Sequence, residues 1–187
     1  MNNIVKNTLI LTVITLVSGL LLGAVYQVTK DPIEARAEQT KQEAYSAVLS
    51  EAKSFEELSL PEGTGDEMNT VTALIKGTRD DGSDAGYVVL VTSHMGYGGD
   101  ISMAVGVDEE GTVKGLEILD LSETPGLGMR STEEEFRSRF VGLDSSAFTV
   151  NPGENAYTSE VDAISGATIT TKAVMGAVYT AIAQVEG

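Results

Sequence analysis

Apolar and polar positions fall into stretches of different period along the chain. From Thr8 to Tyr26 there are 19 residues without a charge, rich in Leu, Ile and Val. As a helix they span roughly 28 Å, the length of one membrane crossing. A cleaved signal peptide has a shorter apolar core, usually about 7 to 15 residues, and Gly23-Ala24-Val25 makes a poor cleavage site. A core helix would carry a polar face, so the pattern predicts an uncleaved anchor. Asp31-Pro32 then offers a capped helix start, and an Ala, Glu and Gln-rich stretch runs to about Lys53. Its apolar residues Tyr45, Val48 and Leu49 cluster near the end, so only the last turns need a core. Glu56 to Asn69, with Pro61, Gly63 and Gly65, reads as a surface loop.

Beyond this the period shortens. Thr70 to Lys76, Ala85 to Thr92, Asp100 to Val107 and Thr112 to Leu119 are short, β-branched and separated by turn signals, which predicts four strands. Ser131 to Phe140 reads as a short helix with Phe136 and Phe140 on one buried face. Val174, Ala177, Val178, Ala181, Ile182 and Val185 keep helical spacing and predict a last helix with its first turn near Thr168 to Lys172. The order predicts an α+β fold: a single transmembrane helix, then one domain with an antiparallel sheet and flanking helices. The expected divisions are a membrane anchor at 1–29, a linker helix at 30–60 and the folded domain at 61–187.

Charge narrows the function. The formal net charge is −16, from 28 acidic and 12 basic residues, which argues against nucleic-acid binding. There is no Cys and one His, His94, so nucleophilic pairs and His or Cys metal clusters find little support. No catalytic residue and no metal ligand is assigned. Lys6 on one side of the anchor and Lys30, Arg36 and Lys41 on the other leave its orientation open by charge alone.

Three glycine-bearing runs hold the candidate chemistry. In Asp162-Ala163-Ile164-Ser165-Gly166-Ala167-Thr168, a hydroxyl sits on a small-residue turn that opens the last helix. Unpaired N–H groups and the positive end of the helix dipole gather there, with Lys172 nearby, and the geometry suits an oxyanion. A plain helix cap is the other reading of the same residues. In Glu123-Thr124-Pro125-Gly126-Leu127-Gly128, Pro125 and the glycines make a rigid, open loop suited to a planar ligand, or an ordinary turn. Gly96-Tyr97-Gly98-Gly99 is a third glycine loop.

The Asp-x-x-Ser-Gly-Ala-Thr run resembles, position for position, the flavinylation motif of the FMN-binding domain family. The Glu-Thr-Pro-Gly-Leu-Gly and Gly-Tyr-Gly-Gly runs resemble one branch of it: the G subunit of the Rnf ion-translocating electron transport complex and the C subunit of the sodium-pumping quinone reductase. The resemblance covers most of the chain. It implies FMN joined covalently through its phosphate to Thr168 by a dedicated flavin transferase. The implied cofactor-binding residues are Glu123, Thr124, Gly126, Leu127, Gly128, Tyr97, Gly98, Asp162, Ser165, Gly166, Ala167 and Lys172. It further implies a redox relay that is not an enzyme alone, among the other membrane and peripheral subunits of an Rnf complex that carries electrons between ferredoxin and NAD and moves sodium or protons. The domain would then face the extracytoplasmic side of the cell membrane. A flavin subunit of another extracytoplasmic electron pathway, or an anchored binding module without redox chemistry, stays open at this point.

Overall fold

A computed structural model describes residues 3–60, 64–151 and 156–187. The chain divides into two compact units, 1–41 and 42–187. The first helix, α1 (Asn3–Val48), enters both. Its segment Asn3–Lys30 is 28 residues long and apolar enough to cross a membrane, with none of it buried within the protein. Leu9, Leu16, Leu20 and Leu22 all stand exposed there, as expected of a surface that meets lipid. No new helix begins at Asp31-Pro32. The backbone continues as helix through both, because a proline removes one ladder bond while the helix-forming residues that follow carry the ladder onward.

In the second unit α1 ends at Val48, five residues before the expected Lys53. The chain turns there through a hydrogen bond from Ala52 N–H to the Leu49 carbonyl, and Lys53 N–H donates to the Thr78 carbonyl. This pairing starts a strand where a surface loop was expected. β1 (Ser54–Leu58) lies antiparallel to β2 (Asn69–Thr78), from Ser54 opposite Thr78 to Leu58 opposite Leu74. The signal was hidden because β1 is an edge strand whose Glu56 and Glu57 are exposed, as edges that must resist further pairing commonly are. Pro61 and Gly63 of the expected loop lie outside the described residues.

The sheet continues as a meander, β2, β3 (Asp84–Ser93), β4 (Ile101–Val107) and β5 (Val113–Leu121), all antiparallel. These are the four expected strands. β3 is central, and its alternate residues serve two cores. Val88 and Leu90 face Ala44, Tyr45, Val48 and Leu49 at the end of α1, whereas Val89 and Val91 face the larger core of the last helix. Gly106 and Gly115 pair across β4 and β5, and a side-chain carbon on Gly115 would lie 2.6 Å from Val48 Cα. Two missing side chains thus make the seat for the helix end.

After β5 the expected helix at Ser131 to Phe140 is broken into 3-10 turns at Gly128–Thr132 and Ser138–Phe140 around a single α-turn, α2 (Glu134–Arg137). Its two phenylalanines are buried and meet edge to face at 5.3 Å. A hairpin, β6 (Phe148–Asn151) and β7 (Ala156–Ser159), precedes α3 (Thr168–Glu186). Val174, Ala177, Val178, Ala181 and Ile182 of α3 are buried against one face of the sheet. α3 therefore has a fixed first turn, which is where the site lies.

Candidate functional site

The three glycine-bearing runs meet. An open cleft of about 520 Å³ is lined by Tyr97, Glu123, Thr124, Leu127, Gly128, Gly166, Ala167, Thr168, Ile169 and Thr170. Such a volume suits a ligand of moderate size. β3 and β4 bring the Tyr97 loop to it, the chain after β5 brings Glu123 to Gly128, and the turn before α3 brings Gly166 to Thr168.

The hydroxyls of the first turn of α3 have different fates. Thr170 is buried and donates to Glu123 Oε2 at 3.1 Å. Thr171 is buried, donates to the Ala167 carbonyl at 2.9 Å and accepts from Ile164 N–H at 3.1 Å. Thr168 is exposed, and its hydroxyl has no hydrogen-bond partner among the described residues. The helix-cap reading of Thr168 fails, because Thr168 is the first helical residue and the cap position is Ala167, which makes no side-chain cap bond. The N–H groups at this end of α3 are therefore left to solvent or a ligand.

Gly166 turns the chain into α3 at φ +78°, a conformation that a side chain would strain, and a side-chain carbon there would also stand 3.1 Å from Leu127. Leu127, Tyr97 and Ile169 remain exposed around the cleft as apolar surface. Ile169 went unassigned in the sequence. Its one signal is a large apolar residue out of phase with the buried stripe of its helix.

Glu123 is buried in the cleft wall. Its Oε1 accepts from the N–H groups of Tyr97 at 2.7 Å and Gly98 at 3.3 Å, and its Oε2 from Thr170. Gly98 and Gly126 lie outside the lining, and Gly126 turns its loop at a φ of +75° with open space around it. Asp162, Ser165 and Lys172 also lie outside the cleft lining. Asp162 is exposed and its carbonyl accepts from Arg139 Nη1 at 2.8 Å. Ser165 is exposed on a separate, smaller depression between Arg130 and Arg139. Lys172 is exposed one turn along α3. His94 lies apart, between Thr70 Oγ1 and Asp100 Oδ1, both at 3.1 Å.

This arrangement fits a flavin nucleotide. The apolar surface of Tyr97, Leu127 and Ile169 suits a planar ring, and the helix N-terminus beside the free Thr168 hydroxyl suits a phosphate.

Comparison with known proteins agrees. Residues 96–183 match the FMN-binding domain family, and residues 1–48 match the RnfG N-terminal region. The G subunit of the ion-translocating oxidoreductase complex of Methanosarcina acetivorans is 34% identical over 182 residues, covering 96% of this chain and 93% of that one. The G subunit of the proton-translocating ferredoxin:NAD(+) oxidoreductase complex of Clostridium ljungdahlii is 32% identical, covering 98% and 92%. The Na(+)-translocating counterpart of Acetobacterium woodii is 29% identical, covering 95% and 89%. Among solved structures, NqrC of Shewanella oneidensis aligns with a TM-score of 0.48 and 23% identity over 73% of this chain and 72% of that one. With an apolar amino-terminal span, a cleft built from three glycine runs and relatives that match nearly end to end, this chain belongs to the family of G subunits of ion-translocating (Rnf) oxidoreductase complexes and carries its FMN-binding domain.

Proposed function

We propose that this protein is a membrane-anchored electron relay in a ferredoxin:NAD oxidoreductase complex coupled to sodium or proton movement, with FMN held on Thr168 through a phosphodiester. The observation that carries the attachment is the division of labour among hydroxyls. Thr170 and Thr171 are buried and committed to protein partners, while Thr168 is exposed and free at the helix N-terminus. A flavin transferase would deliver the FMN unit from a flavin dinucleotide: the bond from the Thr168 hydroxyl oxygen to phosphorus forms as the pyrophosphate bond breaks, the nucleoside monophosphate leaves and the hydroxyl proton goes to solvent. Residues 1–29 serve as the anchor, and the domain faces the extracytoplasmic side.

FMN, when bound, supplies reversible electron transfer. The chain supplies position. The N–H groups opening α3 would hold the phosphate, Lys172 would add positive charge one turn on, and Tyr97, Leu127 and Ile169 would offer apolar contact to the ring. The cleft is open, so a ring held there would keep an edge accessible to neighbouring redox centres. Covalent attachment also answers an electrostatic problem. A net charge of −16 repels a free, near-dianionic phosphate, and a diester carries one charge fewer.

The test is the intact mass of the protein made with an active flavin transferase, followed by peptide mapping. A gain of about 440 Da, FMN less water, is expected on the peptide that holds Thr168. Thr168→Val keeps the volume, leaves α3 folded and abolishes the gain. A colourless wild-type protein refutes the reading and returns the domain to a binding module; flavin retained by Thr168→Val moves the acceptor to Ser165.

A further inference from the structure

We infer that Glu123 is a positioning residue: its buried carboxylate latches the Tyr97–Gly98 loop, its own loop and the first turn of α3 into one unit, and so sets the ring platform against the Thr168 hydroxyl. This rests on the attachment proposed above.

The geometry is specific. The three donors to Glu123 come from segments 26, 25 and 47 residues away in sequence. Glu123 is 7% exposed and Thr170 1%. Both carboxylate oxygens accept from the protein itself, Oε1 from Tyr97 and Gly98 and Oε2 from Thr170.

The glycines supply a second, independent observation. A side-chain carbon on Gly96 would stand 3.0 Å from Glu123 Oε1, and one on Gly128 would stand 2.7 Å from Thr170 Oγ1 and 2.9 Å from Glu123 Cβ. One on Gly98 would run into the Ser122 carbonyl oxygen. At Gly128 the Glu123 and Thr170 side chains themselves require glycine, whereas at Gly96 and Gly98 the nearest obstruction is backbone, the Gly99 and Ser122 carbonyl oxygens, with Glu123 Oε1 next at Gly96. Gly126, by contrast, has nothing within 4 Å. Two of the glycine runs are thus shaped around one carboxylate, which α3 completes through Thr170.

A latch of this kind makes distant parts of the site depend on one another. Thr170→Val removes one arm at nearly constant volume, and Glu123→Ala removes all of them. Glu123→Gln keeps an oxygen for the Tyr97 and Gly98 N–H groups and presents an NH₂ from which the Thr170 hydroxyl can accept.

The experiment uses the full chain in detergent, wild type and these three variants, with and without flavin loading by an active transferase. In flavin-free protein, Thr170→Val should raise amide hydrogen exchange at Tyr97 and Gly98 by about tenfold, although neither touches Thr170. In loaded protein it should keep covalent flavin but change the visible band shape and midpoint potential. Glu123→Ala should do both more strongly, and Glu123→Gln should stay near wild type. Should Glu123→Ala fail to fold, Thr170→Val still decides. Unchanged exchange, or an unchanged band and potential, in Thr170→Val overturns the inference while attachment stands. A potential shifted as far by Glu123→Gln as by Glu123→Ala also overturns it, since charge and not position would then be at work. A wild-type protein that takes no flavin removes the attachment and the inference together.

Discussion

Tyr157 offers a test of the frame that holds α3, and the sign of its effect should reverse with pH. Its ring lies against Gly176 of α3, where an added side-chain carbon would stand 2.6 Å from the ring. Its hydroxyl donates to Asp66 Oδ2 at 2.8 Å and accepts from Asn69 Nδ2 at 3.3 Å. Burial chiefly, and then the hydrogen bond and charge of Asp66, push this hydroxyl from the ordinary 10.0 up to about 12. A pKa raised in the folded state means that the folded protein holds the proton more tightly. The associated stability is therefore intact below pH 10, falls as the unfolded chain ionises and is gone once pH passes about 12. The gap corresponds to roughly 3 kcal/mol. At neutral pH, Tyr157→Phe loses a hydrogen bond to an exposed carboxylate, costing about 1 kcal/mol. The two stability curves should therefore cross near pH 11, with the phenylalanine variant the more stable above it. Urea denaturation of both proteins across pH 8 to 12 (about one point per half unit) measures this, and taking the difference cancels every other titrating group. A difference that stays constant through the whole range refutes the assignment of a raised Tyr157 pKa and the closed packing it reflects.

Four further substitutions probe the packing and the cleft. Gly106→Ala places a methyl against the end of α1 at Val48 and should cost about 3 kcal/mol by overpacking and partial loss of the Val48 and Leu49 burial, read by urea denaturation; no loss would show that the helix end can slide. Ile169→Ser should leave covalent flavin in place while raising iodide quenching of its fluorescence on the order of twofold, because an apolar contact to the ring is lost; unchanged quenching places Ile169 away from the ring. In flavin-free protein, Gly128→Ala should cost about 2 to 3 kcal/mol through its clash with Glu123 and Thr170, against about 1 kcal/mol for Gly126→Ala, which meets only backbone strain. Equal costs would mean that Gly128 is not packed around the carboxylate.

The parts of the fold that were legible are those in which one residue pattern has one solution. The four expected strands, β2 to β5, carry β-branched residues on buried faces, and α3 keeps its apolar stripe for its whole length, so tertiary contacts reinforce local preference. β1 was not legible because an edge strand selects charge, and Glu56 and Glu57 read as loop. The end of α1 was misjudged for a related reason. Residues 49–53 are compatible with helix by propensity, and what stops it is the burial of Leu49 and Ala52 and the pairing of Lys53 with Thr78, neither of which is local. Pro32 misled in the opposite direction, as a start signal inside an uninterrupted helix.

The site shows the same division at finer scale. The runs were found because glycine and Thr168 stand in recognisable order, but sequence order says nothing of why each glycine is there. Read alone, Gly96, Gly98 and Gly128 are loop glycines that permit a turn or a close backbone approach. In the structure they surround the Glu123 side chain and its neighbours, and open space belongs instead to Gly126 and to the Thr168 side of the turn. Glu123 itself drew attention as a residue beside a planar ligand, whereas its oxygens face three protein donors. One buried carboxylate can be satisfied by donors from separated loops only if all of those loops are present and correctly spaced. That requirement is a physical reason for the Gly96–Gly99 and Glu123–Gly128 runs to occur together with Thr170 in the first turn of α3: losing the Tyr97 loop or the Thr170 hydroxyl would leave one oxygen of a buried carboxylate without its donor, whatever the cleft is built to hold.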